Sequence, residues 1–362
     1  MRKISFNAGP ASLPLPVLEK AQQELLDYAG TGLSILEHSH RGKDYVRVHE
    51  EVLCLFAELL ALPKSHAVIL LQGGASLQFA MLPMNFTSPG RRADYTVTGH
   101  WARLAYEEAC RVGAARSICD TAQADGRHVG LPPLDRIAAD PHESYLHLTS
   151  NNTIFGTQWH QWPNTRGVPL VADMSSDILS RPVEASKFAL MYAGTQKNLG
   201  PAGLAVVALN RDWLKEARTD VPDILSYCAH LRAESIYHTP PTFAVYLVGL
   251  QLKWIKENGG AAGMQTRNRA KAELLYATLD RLGGFYRAPV EKQHRSMMNV
   301  VFRLPTPELE DLFCLEGEAA GLTGMKGHRS AGGIRVSLYN AISLDNVKVL
   351  ISFMEDFCRR RG

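Results

Sequence analysis

Seven short apolar runs, separated by amphipathic stretches, constrain the fold of this chain more than any other feature. They lie between residues 66 and 209 and read HAVILLQ, DYTVTG, AARSICD, SYLHLTS, VPLVADM, FALMYAG and GLAVVAL. Most are continuously apolar rather than alternating, which is typical of strands buried on both faces of a sheet. Helical patterns such as Trp101–Arg111 lie between them. The sequence therefore predicts an α/β fold in which helices cover a parallel sheet.

The segments on either side of these runs suggest the domain limits. Pro16 is suited to open a helix that we expect to stop at Gly30, and a second amphipathic helix is predicted over residues 44–62. A helix over 242–257 ends in the glycine-rich stretch KENGGAAGM, beyond which shorter strand and helix patterns predict a smaller α+β unit. We predict an N-terminal arm over 1–15, a large domain over 16–258 and a small C-terminal domain over 259–362.

Composition excludes several classes of protein. The chain has 362 residues, and its 39 Lys and Arg against 36 Asp and Glu leave a net charge of only +3. This balance argues against nucleic acid or a membrane surface as a partner. There is no apolar run of ~18 residues and no signal-like N-terminus, so we expect no membrane span. The six cysteines are scattered without a C-x-x-C pair, which predicts no metal site and a cytoplasmic protein.

Lys197 lies in the stretch YAGTQKNLGPAG, between two turns that contain glycine. A strand-like run ends at the first turn, and another begins after the second. A nucleotide-binding P-loop does not fit, because Gln196 and Asn198 stand where that motif has glycine and a hydroxyl residue. Two interpretations remain. Lys197 is a solvated lysine in a turn, or it is an amine made nucleophilic by a desolvated pocket, as in the Schiff-base lysine of a pyridoxal phosphate (PLP) enzyme.

Three further features bear on that choice. Asp173 ends the run VPLVAD and either caps the next turn or pairs with a pyridine nitrogen. The turn QGGASLQF, with Ser76, opens a helix and either is a simple tight turn or receives a phosphate. Trp101 either is a core residue or stacks on a flat ring. Their order along the chain, with Lys197 last, favours the PLP interpretation.

Two basic clusters suggest an anionic substrate. His38, His40, Arg41 and Lys43 fall within six residues, and Lys326, His328, Arg329 and Arg335 fall within ten. Each cluster could be a solvated basic turn. Both, however, adjoin glycines that let the backbone approach a ligand, and arginine binds phosphate and carboxylate through paired hydrogen bonds.

Seven motifs together resemble the phosphoserine aminotransferase family, which belongs to the class-V aminotransferases of PLP fold type I. From residue 7 to residue 341 they read NAGPASLP, HSHRGKDY, GGASLQF, ADMSSDILSRP, YAGTQKNLGPAG, HTPPTF and KGHRSAGGIRVSLYNA. The resemblance implies a large, mostly parallel-sheet domain, a smaller C-terminal domain and a homodimer with its active site at the subunit interface. It implies ping-pong transamination of 3-phosphohydroxypyruvate with L-glutamate, giving O-phospho-L-serine and 2-oxoglutarate. The phosphorylated threonine analogue of vitamin B6 synthesis is a second substrate of this family.

The same resemblance assigns roles to individual residues. Lys197 would be the catalytic Schiff-base lysine and Asp173 the partner of the pyridinium nitrogen. The other cofactor contacts would come from Ala75, Ser76, Trp101, Thr153, Gln196, His238 and Thr239, the last two reaching the phosphate of the neighbouring subunit. The acidic groups of the substrates would be bound by His40, Arg41, His328, Arg329 and Arg335.

Three other functions compete with this one. A related class-V aminotransferase or desulfurase could act on alanine, serine or cysteine, although none of the six cysteines stands in a glycine-rich active-site segment. An NAD-dependent or phosphate-binding α/β protein could use QGGAS, but a G-x-G-x-x-G motif with a downstream acid is missing. A binding module without catalysis is the third.

Overall fold

A computed structural model describes residues 2–362 of the chain, which form nine α-helices and thirteen β-strands in that range. The helices are α1 (Leu15–Gln23), α2 (Lys43–Leu59), α3 (Gly74–Phe86), α4 (His100–Val112), α5 (Tyr227–Arg232), α6 (Thr242–Glu257), α7 (Gly260–Arg281), α8 (Pro307–Ala319) and α9 (Leu344–Arg361). The strands are β1 (Ile4–Ser5), β2 (His66–Gln72), β3 (Ala93–Val97), β4 (Ala115–Asp120), β5 (Tyr145–Thr149), β6 (Asn151–Asn152), β7 (Thr157–Gln158), β8 (Leu170–Asp173), β9 (Leu190–Gly194), β10 (Leu204–Asn210), β11 (Asn299–Phe302), β12 (Leu322–Thr323) and β13 (Ile334–Ser337).

The seven apolar runs form one seven-stranded sheet in the order β2-β10-β9-β8-β5-β3-β4. The strands from β9 to β4 pair in parallel, as the continuous hydrophobicity predicts. One strand departs from the parallel arrangement, since β10 runs antiparallel to both β2 and β9. The α/β class and the mostly parallel sheet are confirmed.

Both faces of the sheet are buried. Along β2, Leu70 belongs to one apolar core and its neighbours Ile69 and Leu71 belong to another. The first core contains α2 and α6 side chains and the second contains α3 and α4 side chains. This two-sided burial is the physical reason why the strands lack an alternating polar face.

A third core lies in the C-terminal part of the chain and includes Phe6 from the N-terminal segment. Helix α7 contributes to two cores, since Met264 packs in the first and Leu275 in the third. The division at residue 259 stays a prediction. No helix within residues 2–362 is long and apolar enough to cross a membrane.

Most helix limits agree with the sequence pattern, but the first helix does not reach Gly30. Helix α1 ends at Gln23, and residues 28–30 form a separate short 3-10 turn. Leu26, which continues the apolar pattern of α1, is 85% exposed. Burial, which stabilises most helices in proteins, therefore does not extend the helix through this segment.

The fold places the chemically interesting segments at one edge of the main sheet. Because β2, β3, β5, β8 and β9 point the same way, their carboxyl ends lie together. Ligands of open α/β sheets bind at this edge.

Candidate active site

A cavity of about 340 Å³ lies at this carboxyl edge. Six of the predicted site residues line it: Ala75, Ser76, Trp101, Asp173, Gln196 and Lys197. The rest of its wall comes from Gly9, Pro10, Gly73, Gly74, Phe79, Ser175, Ala202 and Gly203. Its volume lies at the lower end of the range for ligand pockets, about 300–1,000 Å³.

Lys197 lies on the loop between β9 and β10 and points its amine towards this cavity wall. Its Nζ donates a 2.8 Å hydrogen bond to Oγ1 of Thr153 and lies 5.6 Å from the centre of the Trp101 ring. The side chain as a whole is half-buried, but the amine is deep enough that burial lowers its pKa from 10.5 to about 8. Asp173 opposes this lowering of the pKa, and Arg335 adds to it. The amine therefore has a much larger neutral fraction near pH 7 than an ordinary lysine.

Asp173 is the last residue of β8 and is 4% exposed. Its Oδ1 accepts hydrogen bonds from the backbone N–H and the hydroxyl of Ser175, at 2.9 and 2.6 Å. Burial raises the pKa of this carboxyl, while Lys197 and Ser175 oppose the rise. Within residues 2–362 no donor reaches Oδ2 at hydrogen-bond distance, so this oxygen is available to a ligand in the cavity. The turn-capping and ligand-binding interpretations of Asp173 are thus compatible.

The opposite part of the cavity is formed by the start of α3. Gly73 precedes this helix with φ +82°, and a Cβ there would lie 2.8 Å from the Cβ of Leu77. Glycine is required at this turn for both reasons. The turn exposes the first backbone N–H groups of α3, including those of Ala75 and Ser76, beside the cavity. Such N–H groups and the helix dipole attract a phosphate.

These groups fit PLP, the cofactor expected from the sequence. The cavity offers an amine of lowered pKa, a buried carboxylate with one unoccupied oxygen, a helix N-terminus and an indole ring. In addition, the indole N–H of Trp101 is buried without a hydrogen-bond partner among the residues described. A buried donor of this kind is costly unless a ligand or water satisfies it.

The C-terminal basic cluster lies close to this cavity. Arg335 is near enough to Lys197 to influence its pKa, and burial lowers the pKa of Arg335 itself. Its Nε is buried and has no partner within residues 2–362. The ring of His328 lies 5.5 Å from that of His100, next to Trp101. Burial is the main cause that lowers the pKa of both histidines, and the positive charge of the exposed Arg329 lowers it further.

Thr153 and the C-terminal basic residues lie close to the cavity without lining it, and four further predicted residues are also absent from its wall. His40 and Arg41 lie on a turn before α2, where Arg41 is exposed. His238 and Thr239 lie beside Gln72, whose Nε2 donates a 3.1 Å hydrogen bond to the Thr239 carbonyl. Their assigned roles in cofactor and substrate binding stay predictions.

Eight residues of the cavity wall were not predicted as site residues, and Ser175 and Gly9 are two of them. Ser175 fixes the Asp173 carboxylate, and its own hydroxyl accepts a 3.0 Å hydrogen bond from the Gly194 N–H. The spacing Asp-x-Ser after a strand is a signal for such a local turn. Gly9 reaches the cavity from far away in the sequence, and local pattern gives no signal for such a contact.

Comparisons with known proteins agree with this geometry. The family model described as aminotransferase class-V matches residues 4–350. The chain is 50% identical over 362 residues to the phosphoserine aminotransferase of Herpetosiphon aurantiacus, covering 100% of both chains. It is similar to the solved phosphoserine aminotransferase of Bacillus circulans subsp. alkalophilus, with a TM-score of 0.97, 48% identity and coverage of 100% and 99%. The PLP-bound phosphoserine aminotransferase of Trichomonas vaginalis gives a TM-score of 0.92 at 33% identity, covering 98% of this chain and 100% of that one.

Proposed function

The chain belongs to the class-V aminotransferases, and from this premise we propose that it is a phosphoserine aminotransferase. Its reaction would move the amino group of L-glutamate to 3-phosphohydroxypyruvate, giving O-phospho-L-serine and 2-oxoglutarate. The observation that carries the proposal is the shared cavity of Lys197 and Asp173. A reactive amine and a buried carboxylate there are the two groups that a PLP-dependent transaminase requires.

PLP, when bound, supplies an aldehyde that combines with amines and a pyridine ring that withdraws electrons from the α-carbon of the substrate. Lys197 would hold the aldehyde, Asp173 the ring nitrogen, Trp101 one face of the ring, and Ala75, Ser76 and Gln196 the phosphate. These assignments are supported by the fact that all six residues line the same cavity.

Lys197 is the group that moves the proton. With a pKa of about 8, its neutral fraction at pH 7 is ~300-fold that of an ordinary lysine. The amine of the incoming substrate would displace Lys197, whose neutral Nζ would then accept the α-proton of the substrate. Nζ would deliver this proton to the carbon bonded to the other side of the transferred nitrogen. Thr153 restrains this motion because its Oγ1 accepts a hydrogen bond from Nζ.

Asp173 keeps a negative charge where a protonated ring nitrogen needs one. Its Oδ1 is fixed by Ser175, which orients Oδ2 without further side-chain motion. A bound cation would offset the burial that raises the pKa of this carboxyl. The carboxylate thereby stabilises the electron-accepting form of the ring.

Substrate acids would be bound by the basic residues around the cavity. Arg335 has a buried, unpaired Nε in the part of the chain described and is suited to the carboxylate that glutamate and phosphoserine share. His328 and Arg329, beside His100, would take the phosphate of one substrate and the side-chain carboxylate of the other. Because both substrates carry two acidic groups, one positively charged site can serve both half-reactions.

A matched pair of keto acids tests the proposal. The purified protein, loaded with PLP and supplied with glutamate, is assayed with 3-phosphohydroxypyruvate and with hydroxypyruvate, which lacks only the phosphate. We expect kcat/KM to be at least 100-fold higher for the phosphorylated acid, since charge-assisted bonds contribute about 1.5–3 kcal/mol each. Equal values would contradict the proposal and favour a class-V aminotransferase for small amino acids. The keto acid of the phosphorylated threonine analogue is assayed in the same way, and its kcat/KM is compared with that of 3-phosphohydroxypyruvate.

We also propose that the active unit is a cytoplasmic homodimer whose sites lie at the subunit interface. Several large apolar side chains are exposed near the predicted residues that do not reach their own cavity. Leu33 and Leu36, 46% and 57% exposed, precede His40 and Arg41, and Tyr237, 41% exposed, precedes His238. A second copy would cover such a surface, and could receive these polar side chains at its own site. The six cysteines are free thiols, in keeping with a reducing compartment.

Complementation tests the dimer. Lys197→Ala and Arg41→Ala subunits are each expected to be nearly inactive as homodimers. The two variants are co-expressed with different affinity tags, and the mixed dimer is purified by using both tags. One of its two sites then combines an intact Lys197 with an intact Arg41 from the neighbouring subunit. We expect this mixed dimer to recover about half of the wild-type turnover per dimer. A mixed dimer as inactive as its parents would show that Arg41 serves its own subunit or none.

A further inference from the structure

The N-terminal segment of residues 4–11, here called the strap, joins the C-terminal core to the Lys197 loop. At one end, β1 pairs with β12, and the Ser337 N–H donates a 3.2 Å hydrogen bond to the Phe6 carbonyl. At the other end, the Ala11 N–H donates a 2.9 Å bond to the carbonyl of Gln196, next to Lys197. The strap therefore connects the C-terminal core to the loop that carries Lys197.

The middle of the strap is part of the cavity wall. Gly9 and Pro10 line the cavity. A Cβ on Gly9 would lie 3.3 Å from Cγ of Lys197, so the strap backbone packs directly against the stem of the lysine. This contact excludes water from one side of Lys197 and contributes to the burial that lowers the pKa of its amine.

One side chain fixes the strap at this point. The hydroxyl of Tyr339, which is 2% exposed, donates a 2.8 Å hydrogen bond to the carbonyl of Ala8. The same hydroxyl accepts a 3.3 Å bond from Nδ2 of Asn299, which is fully buried. Tyr339 is thus itself held in place and does not depend on the strap for its position.

The residues on either side of Tyr339 are also anchored. Nζ of Lys271 donates to the carbonyls of Leu338 and Tyr339, at 2.8 and 2.9 Å. The Asn340 N–H donates a 2.9 Å bond to Oδ1 of Asn198, which follows Lys197. The segment 338–340 therefore contacts the Lys197 loop directly and through the strap.

We propose that Tyr339 is a positioning residue for Lys197, acting through its hydrogen bond to the Ala8 carbonyl and the packing of Gly9 against the lysine. The proposal rests on the proposed role of Lys197. Without the hydroxyl, the Ala8 carbonyl loses its partner, the strap opens more often, and water reaches the amine. Its pKa then rises and its neutral fraction falls. The alternative is that the hydroxyl only stabilises the fold.

The variant Tyr339→Phe removes this bond and keeps the ring. The control is Tyr286→Phe: Tyr286 is 1% exposed, lies in the C-terminal core, and its hydroxyl donates a 2.9 Å bond to the Met354 carbonyl away from the cavity. Tyr339→Phe loses two hydrogen bonds of its hydroxyl and Tyr286→Phe loses one, so we expect Tyr339→Phe to lower the melting temperature by the larger amount. The measurements that follow are local to the strap and to Lys197, so they separate a change in the position of the lysine from a loss of overall stability.

Two measurements on the full chain need no turnover and so do not depend on the proposed reaction. In hydrogen exchange, the Ala11 amide should exchange about fivefold to tenfold faster in Tyr339→Phe and at the wild-type rate in Tyr286→Phe. In cofactor-free protein, trace labelling of Lys197 with acetic anhydride across pH, read by mass spectrometry, gives the pKa of its amine. This midpoint should move upward by about half a unit in Tyr339→Phe only.

The loaded enzyme supplies the third measurement. We expect kcat of Tyr339→Phe to fall several-fold, with its rising pH limb shifted upward and KM for glutamate nearly unchanged. If Tyr339→Phe matches Tyr286→Phe in Ala11 exchange and in the Lys197 midpoint, the hydroxyl is structural only and the proposal is wrong. A fall in kcat without either change would also overturn it, because the effect would not pass through the strap.

Discussion

Lys271 provides a prediction about stability that can be worked out quantitatively. This residue of α7 is 1% exposed and donates its hydrogen bonds to two backbone carbonyls rather than to a carboxylate. Burial lowers the pKa of its amine from 10.5 to about 7, and the nearby Arg267 adds to this lowering. We predict that Lys271 makes the folded protein more stable as pH rises from neutral to alkaline.

The sign follows from proton binding. Between pH 7 and pH 10.5 the unfolded chain keeps the Lys271 proton and the folded chain releases it, so raising the pH favours folding. Below both pKa values the folded state holds a buried charge, at a cost of about 5 kcal/mol relative to the exposed amine. From pH 7 to pH 9.5 the free energy of unfolding should gain about 3 kcal/mol from this one group.

Lys271→Met isolates the effect, because methionine keeps much of the shape and cannot titrate. The substitution also leaves the Leu338 carbonyl without a donor, at about 1–3 kcal/mol, whereas the Tyr339 carbonyl keeps the Ile342 N–H; that loss does not vary with pH. The quantity to measure is therefore the difference between wild type and variant, obtained from urea unfolding at fixed protein concentration. The wild-type midpoint should rise relative to the variant by about 1 M urea between pH 7 and pH 9.5.

Lys348→Met is the control. The side chain of Lys348 is 60% exposed and forms a 2.9 Å ion pair with Asp345 on α9. Its difference from wild type should stay constant with pH to within about 0.5 kcal/mol. If the Lys271→Met difference is equally flat, or changes in the opposite direction, the reasoning from burial is refuted.

Four substitutions test the catalytic assignments. Lys197→Ala should abolish borohydride-stable cofactor attachment, seen by mass spectrometry, and nearly all turnover; wild-type turnover would disprove its role. Asp173→Ala should lower kcat by about two orders of magnitude or more and weaken PLP binding measured by fluorescence, whereas an unchanged rate would leave Asp173 as a turn cap only. Thr153→Val removes the acceptor of the Lys197 bond and should lower kcat about tenfold in steady-state assays, with Tm almost unchanged. Arg329→Ala should raise KM for 3-phosphohydroxypyruvate about tenfold or more but leave hydroxypyruvate nearly unaffected; equal effects would move the phosphate site elsewhere.

Much of the fold could be predicted because strands buried on both faces have a distinctive composition. All seven runs became strands of the main sheet, and Asp173 and Lys197 stand at its carboxyl edge as expected. The reversed direction of β10 could not be predicted, since a buried strand has the same hydrophobic pattern in either orientation.

The limits of prediction at the site have a similar cause. Leu26 looks like a core position of a longer α1, yet it is exposed, because apolar character does not distinguish a core from a surface awaiting a partner. Arg41 carries the right chemistry, but one chain does not bring it to its own cavity. Contacts between segments that are far apart in the chain, such as that of Tyr339 with Ala8, produce no recognisable pattern in the local sequence.

The reversed strand has a consequence for how the site can move. The loop that carries Lys197 leaves β9 and enters its direct neighbour β10, so both of its ends are tied into adjacent rungs of hydrogen bonds. Moving the base of this loop would therefore require breaking hydrogen bonds between β9 and β10 in the main sheet. A change in the width of the cavity therefore costs less at the strap, where Ala11 joins the Lys197 loop through a backbone hydrogen bond, than at the base of that loop.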